Sequence, residues 1–177
     1  TGLILDPYFS GTKIEWLLDN VDGARQRARN GELAFGTIDT FLLWRLTDGA
    51  AHKTDVSNAS RTLLMDLEEA SWSPEMCDML NVPRELLPEI TGNAEVYGEV
   101  RDVEGLADGT PVCGMAGDQQ AALFGQTCFD HGEAKCSYGT GAFVLMNTGS
   151  RAPRSEHRLL TSAAWQIDGE PTYCLEG

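Results

Sequence analysis

The stretch PVCGMAGDQQAALFG (residues 111–125) constrains the fold more than any other part of this 177-residue chain. The small and apolar residues Pro111–Gly117 predict a buried strand, and Asp118–Gly125 predicts a helix. Such a strand-to-helix unit is typical of α/β sheets, in which ligands bind at the carboxyl ends of the strands. The sequence therefore predicts an α/β fold with a site near Asp118.

The hydrophobic pattern changes near Gln126. Helical periodicities dominate before this residue. After it, two pairs of alternating segments predict β-hairpins, the first turning at 139–141 and the second at the pair Asp168-Gly169. We therefore expect a mainly helical part followed by a hairpin part.

Several shorter segments carry end signals. Ser10–Val21 predicts a helix with Ser10 as its N-cap, and Asp39 is the expected cap of a later apolar helix. Ser73 followed by Pro74 predicts another helix start. The small polar residues Thr54–Thr62 predict a loop held by bonds from side chains to the backbone.

The net charge is −14, from 27 acidic and 13 basic residues, and hydrophobic residues make up 42%, enough for a buried core. This charge repels phosphate backbones, which argues against nucleic acid as a partner. The scattered acids are typical of a solvated acidic surface. Adaptation to a salty cytoplasm is the alternative, because only Lys13, Lys53 and Lys135 are lysines.

The five cysteines are widely spaced, without a CxxC pair or a Cys/His ligand set. Buried free thiols in a reducing cytoplasm are the resulting prediction, with no metal site built from protein ligands alone. No apolar run reaches membrane length. Both ends look interrupted, so we expect a segment of a longer protein.

Asp118 has two interpretations. A carboxylate at a helix start is commonly an N-cap, and spacing alone favours that role. The functional alternative is a general base or a carboxylate linked to a metal ion. The neighbours Gln119 and Gln120 favour it, because a polyol site needs donors and acceptors beside its base.

The segment YGTGAF (138–143) predicts a tight turn whose glycines allow close backbone approach, although a bare GTG is also an ordinary turn. It is not a Walker A loop. In DPYFSGTKIEWLLDN (6–20), taken alone, Trp16 is expected in the core and Lys13 on the surface. The three histidines have no evident partner.

Six motifs in order carry a more specific signal: YFSGTKIEWLLDN, FGTIDTFLLWRLT, TDVSNASRT, EVYG, AGDQQAALFGQ and YGTGAFVLMNTG. Together they resemble the glycerol kinases of the FGGY carbohydrate kinase family, over nearly the whole chain. One such motif would be weak evidence, whereas six in the same order are specific.

The resemblance implies part of the actin-like, ribonuclease-H-like ATPase fold, in which two domains close on a cleft. Residues 1–130 would be the later part of the substrate domain, and residues 131–177 would open the nucleotide domain. The implied reaction is the ATP-dependent phosphorylation of glycerol to sn-glycerol 3-phosphate, with Mg²⁺. Because relatives assemble as dimers or tetramers, the resemblance also implies a homo-oligomer for the full-length protein.

Site residues follow by matching motif positions. Asp118 matches the family's catalytic base and contacts the substrate. Tyr8 and Gln119 match polyol-contacting positions, and Phe143 matches the aromatic residue that packs on the glycerol carbons. The turn that meets the terminal phosphates of the nucleotide matches Gly139, Thr140 and Gly141.

The family's first phosphate loop and glycerol-gripping Arg-Glu pair would lie before Thr1, and its adenine-binding glycines after Gly177. The isolated chain is therefore expected to be inactive. A basic, glycine-rich loop that binds a sugar bisphosphate regulator in some relatives reads VEGLADGT (103–110) here, without Lys or Arg. An anionic regulator should bind it poorly.

Two alternatives stay open. The parent protein could be another polyol or sugar kinase of the same family, although GDQQ and Phe143 favour glycerol. The chain could also be a non-catalytic binding or regulatory relative. Tyr8, Asp118 and Thr140 argue against a degenerate parent, but they do not make the isolated chain active.

Overall fold

The computed structural model describes residues 1–139 and 141–177. Thr140, one of the expected nucleotide-contacting residues, lies outside them. In the described part, the α-helices are α1 (Ser10–Asn20), α2 (Ala24–Arg29), α3 (Ile38–Leu46), α4 (Val56–Ala59), α5 (Pro74–Met79) and α6 (Asp118–Gly125), with a 3-10 helix at Arg84–Leu86. The strands are β1 (Lys53–Asp55), β2 (Met65–Asp66), β3 (Ser71–Trp72), β4 (Glu89–Thr91), β5 (Gly98–Glu99), β6 (Pro111–Val112), β7 (Ala134–Tyr138), β8 (Ala142–Gly149), β9 (Leu160–Ile167) and β10 (Glu170–Glu176).

The largest sheet is antiparallel and has the strand order β7-β8-β10-β9. Both predicted hairpins are confirmed. Asp168 and Gly169 have φ angles of 52° and 83°, the left-handed conformation that a tight two-residue turn needs. The remaining strands pair in twos: β1 with β4 in parallel, and β2 with β3 and β5 with β6 antiparallel.

The main hydrophobic core lies between α1, α2 and α5, and Ile14 and Leu18 of α1 are buried in it. Gly11 allows α1 to lie close to its support, because its N–H donates to the Thr62 carbonyl at 2.7 Å and a Cβ there would lie 2.9 Å from that oxygen. Trp16 was expected in the core, but its side chain is 61% exposed. It lies on the face of α1 that points away from this cluster, so that prediction is wrong.

Two of the three predicted caps are wrong. The N-cap of α1 is Phe9 rather than Ser10, and the N-cap of α3 is Thr37 rather than Asp39. Asp39 lies in the first helical turn, where its carboxylate accepts a hydrogen bond from the Thr37 hydroxyl. Ser73 is confirmed, because its hydroxyl accepts the Met76 N–H at 3.3 Å.

The prediction of a loop at Thr54–Thr62 is wrong, because this segment forms the end of β1 followed by α4. The expected bonds from side chains to the backbone are present: the fully buried Asp55 accepts the N–H groups of Ser57 (2.8 Å) and Asn58 (3.2 Å). Asn93 joins them by donating its amide to Asp55 at 2.7 Å. These polar residues are buried because they satisfy one another.

Of the predicted buried strand Pro111–Gly117, only Pro111 and Val112 form a strand, β6, and no residue of the segment is buried, so the prediction of burial is wrong. In the described part of the chain, β6 pairs with β5 alone and has no second sheet partner. The segment is nevertheless fixed, because the Gly117 N–H donates to the Ser57 hydroxyl at 2.9 Å. The Met115 carbonyl accepts from the Asn93 amide at 2.8 Å.

Strand β9 joins the large sheet to the helical part. The Ala163 N–H donates to the Ser60 hydroxyl at 3.2 Å, and the Gln166 N–H donates to the Asn93 side chain at 2.8 Å. The Thr161 N–H donates to the Gly2 carbonyl at 3.0 Å. None of the helices in the described residues is long and apolar enough to cross a membrane.

Candidate active site

A cavity of about 640 Å³ lies where α1, α6 and the large sheet meet. The turn before α1 forms one wall, the start of α6 forms another, and β8 and β10 close the third. Its lining side chains include Tyr8, Lys13, Asn58, Arg61, Asp118, Gln119, Phe143, Arg158 and Glu176. The four residues predicted to contact the substrate therefore share one cavity.

Asp118 is the first residue of α6, and Gly117 holds the N-cap position without a side-chain capping bond. The carboxylate of Asp118 is exposed and accepts the Gln119 amide N–H at 3.2 Å. The interpretation of Asp118 as an N-cap is therefore wrong. The carboxylate still gains from the dipole at the helix start, and it faces the cavity.

Gln119 lies between Asp118 and a buried lysine. Lys135 on β7 is only 2% exposed, and its ammonium group donates to the Gln119 side-chain oxygen. It also donates to the Ser137 hydroxyl at 3.0 Å and to the Phe143 carbonyl at 3.4 Å. Lys135 thus connects α6 with both strands of the first hairpin.

Tyr8 stands at the cavity mouth and is 67% exposed. Asp6 accepts its N–H at 2.7 Å, and Lys13 donates to its carbonyl at 2.8 Å. The Tyr8 ring packs edge-on against the buried Phe9, with 5.3 Å between ring centres. The Tyr8 side chain is therefore held in place by the hydrogen bonds of its backbone and by its contact with Phe9.

Phe143 lies on β8 opposite Ser137 of β7, and its half-exposed ring forms the sheet side of the cavity. At the hairpin tip, the Gly139 N–H donates to the Gly141 carbonyl at 2.9 Å. Among the described residues that line the cavity, neither glycine is present. Gly139 and Gly141, two residues of the expected phosphate-contacting turn, are thus not part of the cavity wall.

Several positively charged side chains line the cavity, although the chain as a whole is strongly acidic. Lys13, Arg61 and Arg158 line it against Asp118 and Glu176. Arg61 pairs with Glu176 and stacks over the Phe9 ring at 5.2 Å. Burial raises the pKa of Glu176, and the neighbouring Arg61 and Lys135 oppose that rise.

Sequence reasoning missed Arg61 and Glu176 as cavity residues and Lys135 as the buried residue that contacts Gln119. The prediction that Lys13 lies on the surface is confirmed, and this exposed side chain also lines the cavity. Alternation along β7 was the signal for Lys135, because Ala134 and Cys136 point outward while Lys135 is buried. Arg61 and Glu176 are distant in sequence and meet only through the packing of the sheet.

The described residues contain no group of three or more His, Cys, Asp and Glu side chains that could hold a metal ion. The cavity carboxylates Asp118 and Glu176 do not form such a cluster, and Glu176 is paired with Arg61. Since Mg²⁺ is often held by one or two carboxylates together with substrate phosphates, the residues fit an ion that arrives with a nucleotide.

The family of this chain follows from a comparison with known protein families. Residues 1–125 match the sequence profile of the FGGY family of carbohydrate kinases, N-terminal domain. The chain therefore belongs to the FGGY family of carbohydrate kinases, and its fold is part of the actin-like, ribonuclease-H-like ATPase fold.

The chain is also similar to individual known proteins. Glycerol kinases of Myxococcus xanthus and Bacillus thuringiensis are 63% and 58% identical to the chain over its whole length. The crystal structure of Plasmodium falciparum glycerol kinase with ADP superposes with a TM-score of 0.94 at 42% identity, also over the whole chain. In each case the chain spans 36% of the other protein. Gluconate kinase from Lactobacillus acidophilus, at 20% identity and a TM-score of 0.84, shares the fold.

Proposed function

We propose that the full-length protein containing this chain transfers the γ-phosphoryl group of ATP to glycerol, forming sn-glycerol 3-phosphate. One observation carries the proposal: Tyr8, Asp118, Gln119 and Phe143 line a single cavity. The identity of 58–63% to glycerol kinases supports glycerol among the possible substrates.

In the proposed reaction, Asp118 is the general base. Its exposed carboxylate accepts the proton of the attacking hydroxyl, while Phe143 and Tyr8 pack on the carbon chain and hold the hydroxyl in place. Phosphoryl transfer depends mainly on positioning and on neutralising charge, so one base with nearby cations is sufficient. Mg²⁺ would be held by the phosphates of ATP and would neutralise the charge that develops on them.

Residues 1–130 are proposed as the later part of the substrate domain and residues 131–177 as the start of the nucleotide domain. The family match to residues 1–125 supports this boundary. A reducing cytoplasm suits the free thiols of the described residues. Burial is confirmed for Cys77, Cys128 and Cys174, but it is wrong for Cys113 and Cys136, which are exposed. Assembly of the full-length protein into dimers or tetramers stays a prediction.

Substrate comparison tests the proposal. Rates of ADP release by the full-length protein should be highest with glycerol and much lower with xylulose and gluconate, because the relatives that are 58–63% identical are glycerol kinases. A coupled ADP assay at equal substrate concentrations provides the comparison. A preference for xylulose or gluconate would instead identify another sugar kinase of the family.

The isolated 177-residue chain provides the control for the second alternative. We expect no ADP release from it, because it spans 36% of the related enzymes. If the full-length protein also released no ADP with any polyol, the non-catalytic interpretation would hold.

Fructose 1,6-bisphosphate at millimolar concentration is expected to leave the activity of the full-length protein unchanged. The segment 103–110 is an exposed loop with acidic Glu104 and Asp108, so it repels a bisphosphate. Asp108 is moreover engaged with the Asp102 N–H at 2.9 Å. Titration of initial rates measures the effect, and tight inhibition would contradict the prediction.

A further inference from the structure

Lys135 has no part in the reaction proposed above, yet it contacts two residues of the cavity. Its ammonium group is nearly fully buried, and a buried charge is unfavourable unless it is well bonded. Three acceptors hold it: the side chains of Gln119 and Ser137 and the Phe143 carbonyl. Because Gln119 lies between Lys135 and Asp118, this ammonium group is well placed to influence the Asp118 carboxylate.

Lys135 also fixes which way the Gln119 amide points. An ammonium group only donates, so the Gln119 atom that faces it must be the oxygen. The amide nitrogen is then directed to Asp118, at 3.2 Å. A side-chain amide has two N–H groups, so one stays available on the cavity side.

We propose that Lys135 is a positioning residue for the catalytic base, acting through the amide of Gln119. This inference rests on the proposed function. With its amide fixed, Gln119 donates one N–H to Asp118 and the other to the oxygen of the attacking hydroxyl. That oxygen is then an acceptor toward Gln119, so its own proton points to Asp118.

The phosphoryl transfer follows from this arrangement. The hydroxyl oxygen forms a bond to the γ-phosphorus of ATP, and the bond from that phosphorus to the bridging oxygen breaks. ADP leaves with the bond electrons, and the hydroxyl proton passes to Asp118. A flipped Gln119 amide would present its oxygen and compete with Asp118 for the same proton.

The surrounding charges agree with this role. Burial lowers the pKa of Lys135, while Asp118 facing it from α6 and Glu176 facing it from β10 oppose the change. The thiols of Cys136 and Cys174 oppose the change as well. On the cavity side the charged neighbours of Asp118 are Lys13, Arg61, Arg158 and Glu176.

Lys135→Met in the full-length protein tests the inference. We expect kcat to fall roughly tenfold, because the amide of Gln119 loses its fixed orientation. KM for glycerol should rise by no more than about threefold, so the loss should fall mainly on kcat, because the relay orients the attacking hydroxyl in the transition state. KM for ATP should stay within about twofold of its value in the unmodified protein, because Lys135 lies next to Gln119 and Phe143, which are proposed to bind the polyol.

Lys53→Met is the matched control. Lys53 lies on β1, where it faces Glu89 at 3.7 Å, and we expect this variant to keep normal rates. The melting temperature of Lys135→Met should fall, because the acceptors on Gln119, Ser137 and Phe143 lose their donor, so the rates are measured well below it.

A second variant keeps the inference testable if Lys135→Met does not fold. Gln119→Met removes the relay, so kcat should fall at least as far as in Lys135→Met, and adding Lys135→Met to it should lower kcat no further. A normal kcat in Gln119→Met, or losses that multiply in the double variant, would overturn the inference. Absence of glycerol phosphorylation by the unmodified protein would instead overturn the proposed function, so the two failures are distinguishable.

Discussion

Asp118→Asn in the full-length protein is expected to lower kcat by about 10²–10⁴, the usual loss on removal of a general base. Asparagine has the same shape but cannot accept the hydroxyl proton at neutral pH. The fold should persist, because Asp118 is exposed and makes no capping bond at the start of α6. Steady-state kinetics with glycerol, together with a melting curve, measure both effects.

Asp22→Asn is the matched control for this experiment. Asp22 is also an exposed aspartate, in the turn between α1 and α2, and the same substitution there should leave kcat unchanged. Near-normal turnover of Asp118→Asn would refute the assignment of the base. An equal loss in both variants would point to a general effect on folding.

Asp55→Ala is expected to lower the free energy of unfolding by about 3 kcal/mol or more, because several buried donors lose their acceptor. The Asp55 carboxylate accepts from the backbone of Ser57 and Asn58, and from the side chains of Asn58 and Asn93, both at 2.7 Å. Urea unfolding of the full-length protein, followed by tryptophan fluorescence, measures the change.

Asp66→Ala is the control that separates the effect of burial from the effect of the local hydrogen bonds. Asp66 also accepts two backbone N–H groups, those of Glu68 at 2.9 Å and Glu69 at 3.1 Å, but this turn is exposed to water. Its loss should lower the free energy of unfolding by only about 1 kcal/mol. Similar losses for both variants would show that burial of the Asp55 network adds little.

Local signals in the sequence were sufficient for several elements. Ser73 with Pro74 marked the start of α5, and the pair Asp168-Gly169 marked the second hairpin turn. In each case neighbouring residues determine the conformation: a hydroxyl that reaches a free N–H, or a glycine that adopts a positive φ. Such features need no knowledge of the rest of the chain.

Features that depend on distant residues were not predictable in this way. The segment Thr54–Thr62 has the composition of a loop, and only its bonds to Asn93 and Gly117 explain why it is buried. The segment Pro111–Gly117 has the composition of a buried strand, yet burial requires neighbouring strands on both sides. Composition describes the residues of a segment but not its partners.

The candidate site shows the same division. Motif resemblance brought Tyr8, Asp118, Gln119 and Phe143 to attention, and the structure places all four on one cavity. Their roles in catalysis stay predictions. Lys135 was overlooked because a lysine on a strand ordinarily faces water, and its burial depends on acceptors from α6 and β8.

The bonds made by β9 limit where the chain can be truncated. A protein ending at residue 130 would leave the Asn93 side chain and the Gly2 carbonyl without their partners on β9. The other piece, residues 131–177, would expose the edge of β9 that contacts the helical part. Unpaired strand edges promote aggregation by pairing with other chains. The end of the family match at residue 125 is therefore a poor place to cut, and expression trials should keep β9 and β10 with the helices they cover.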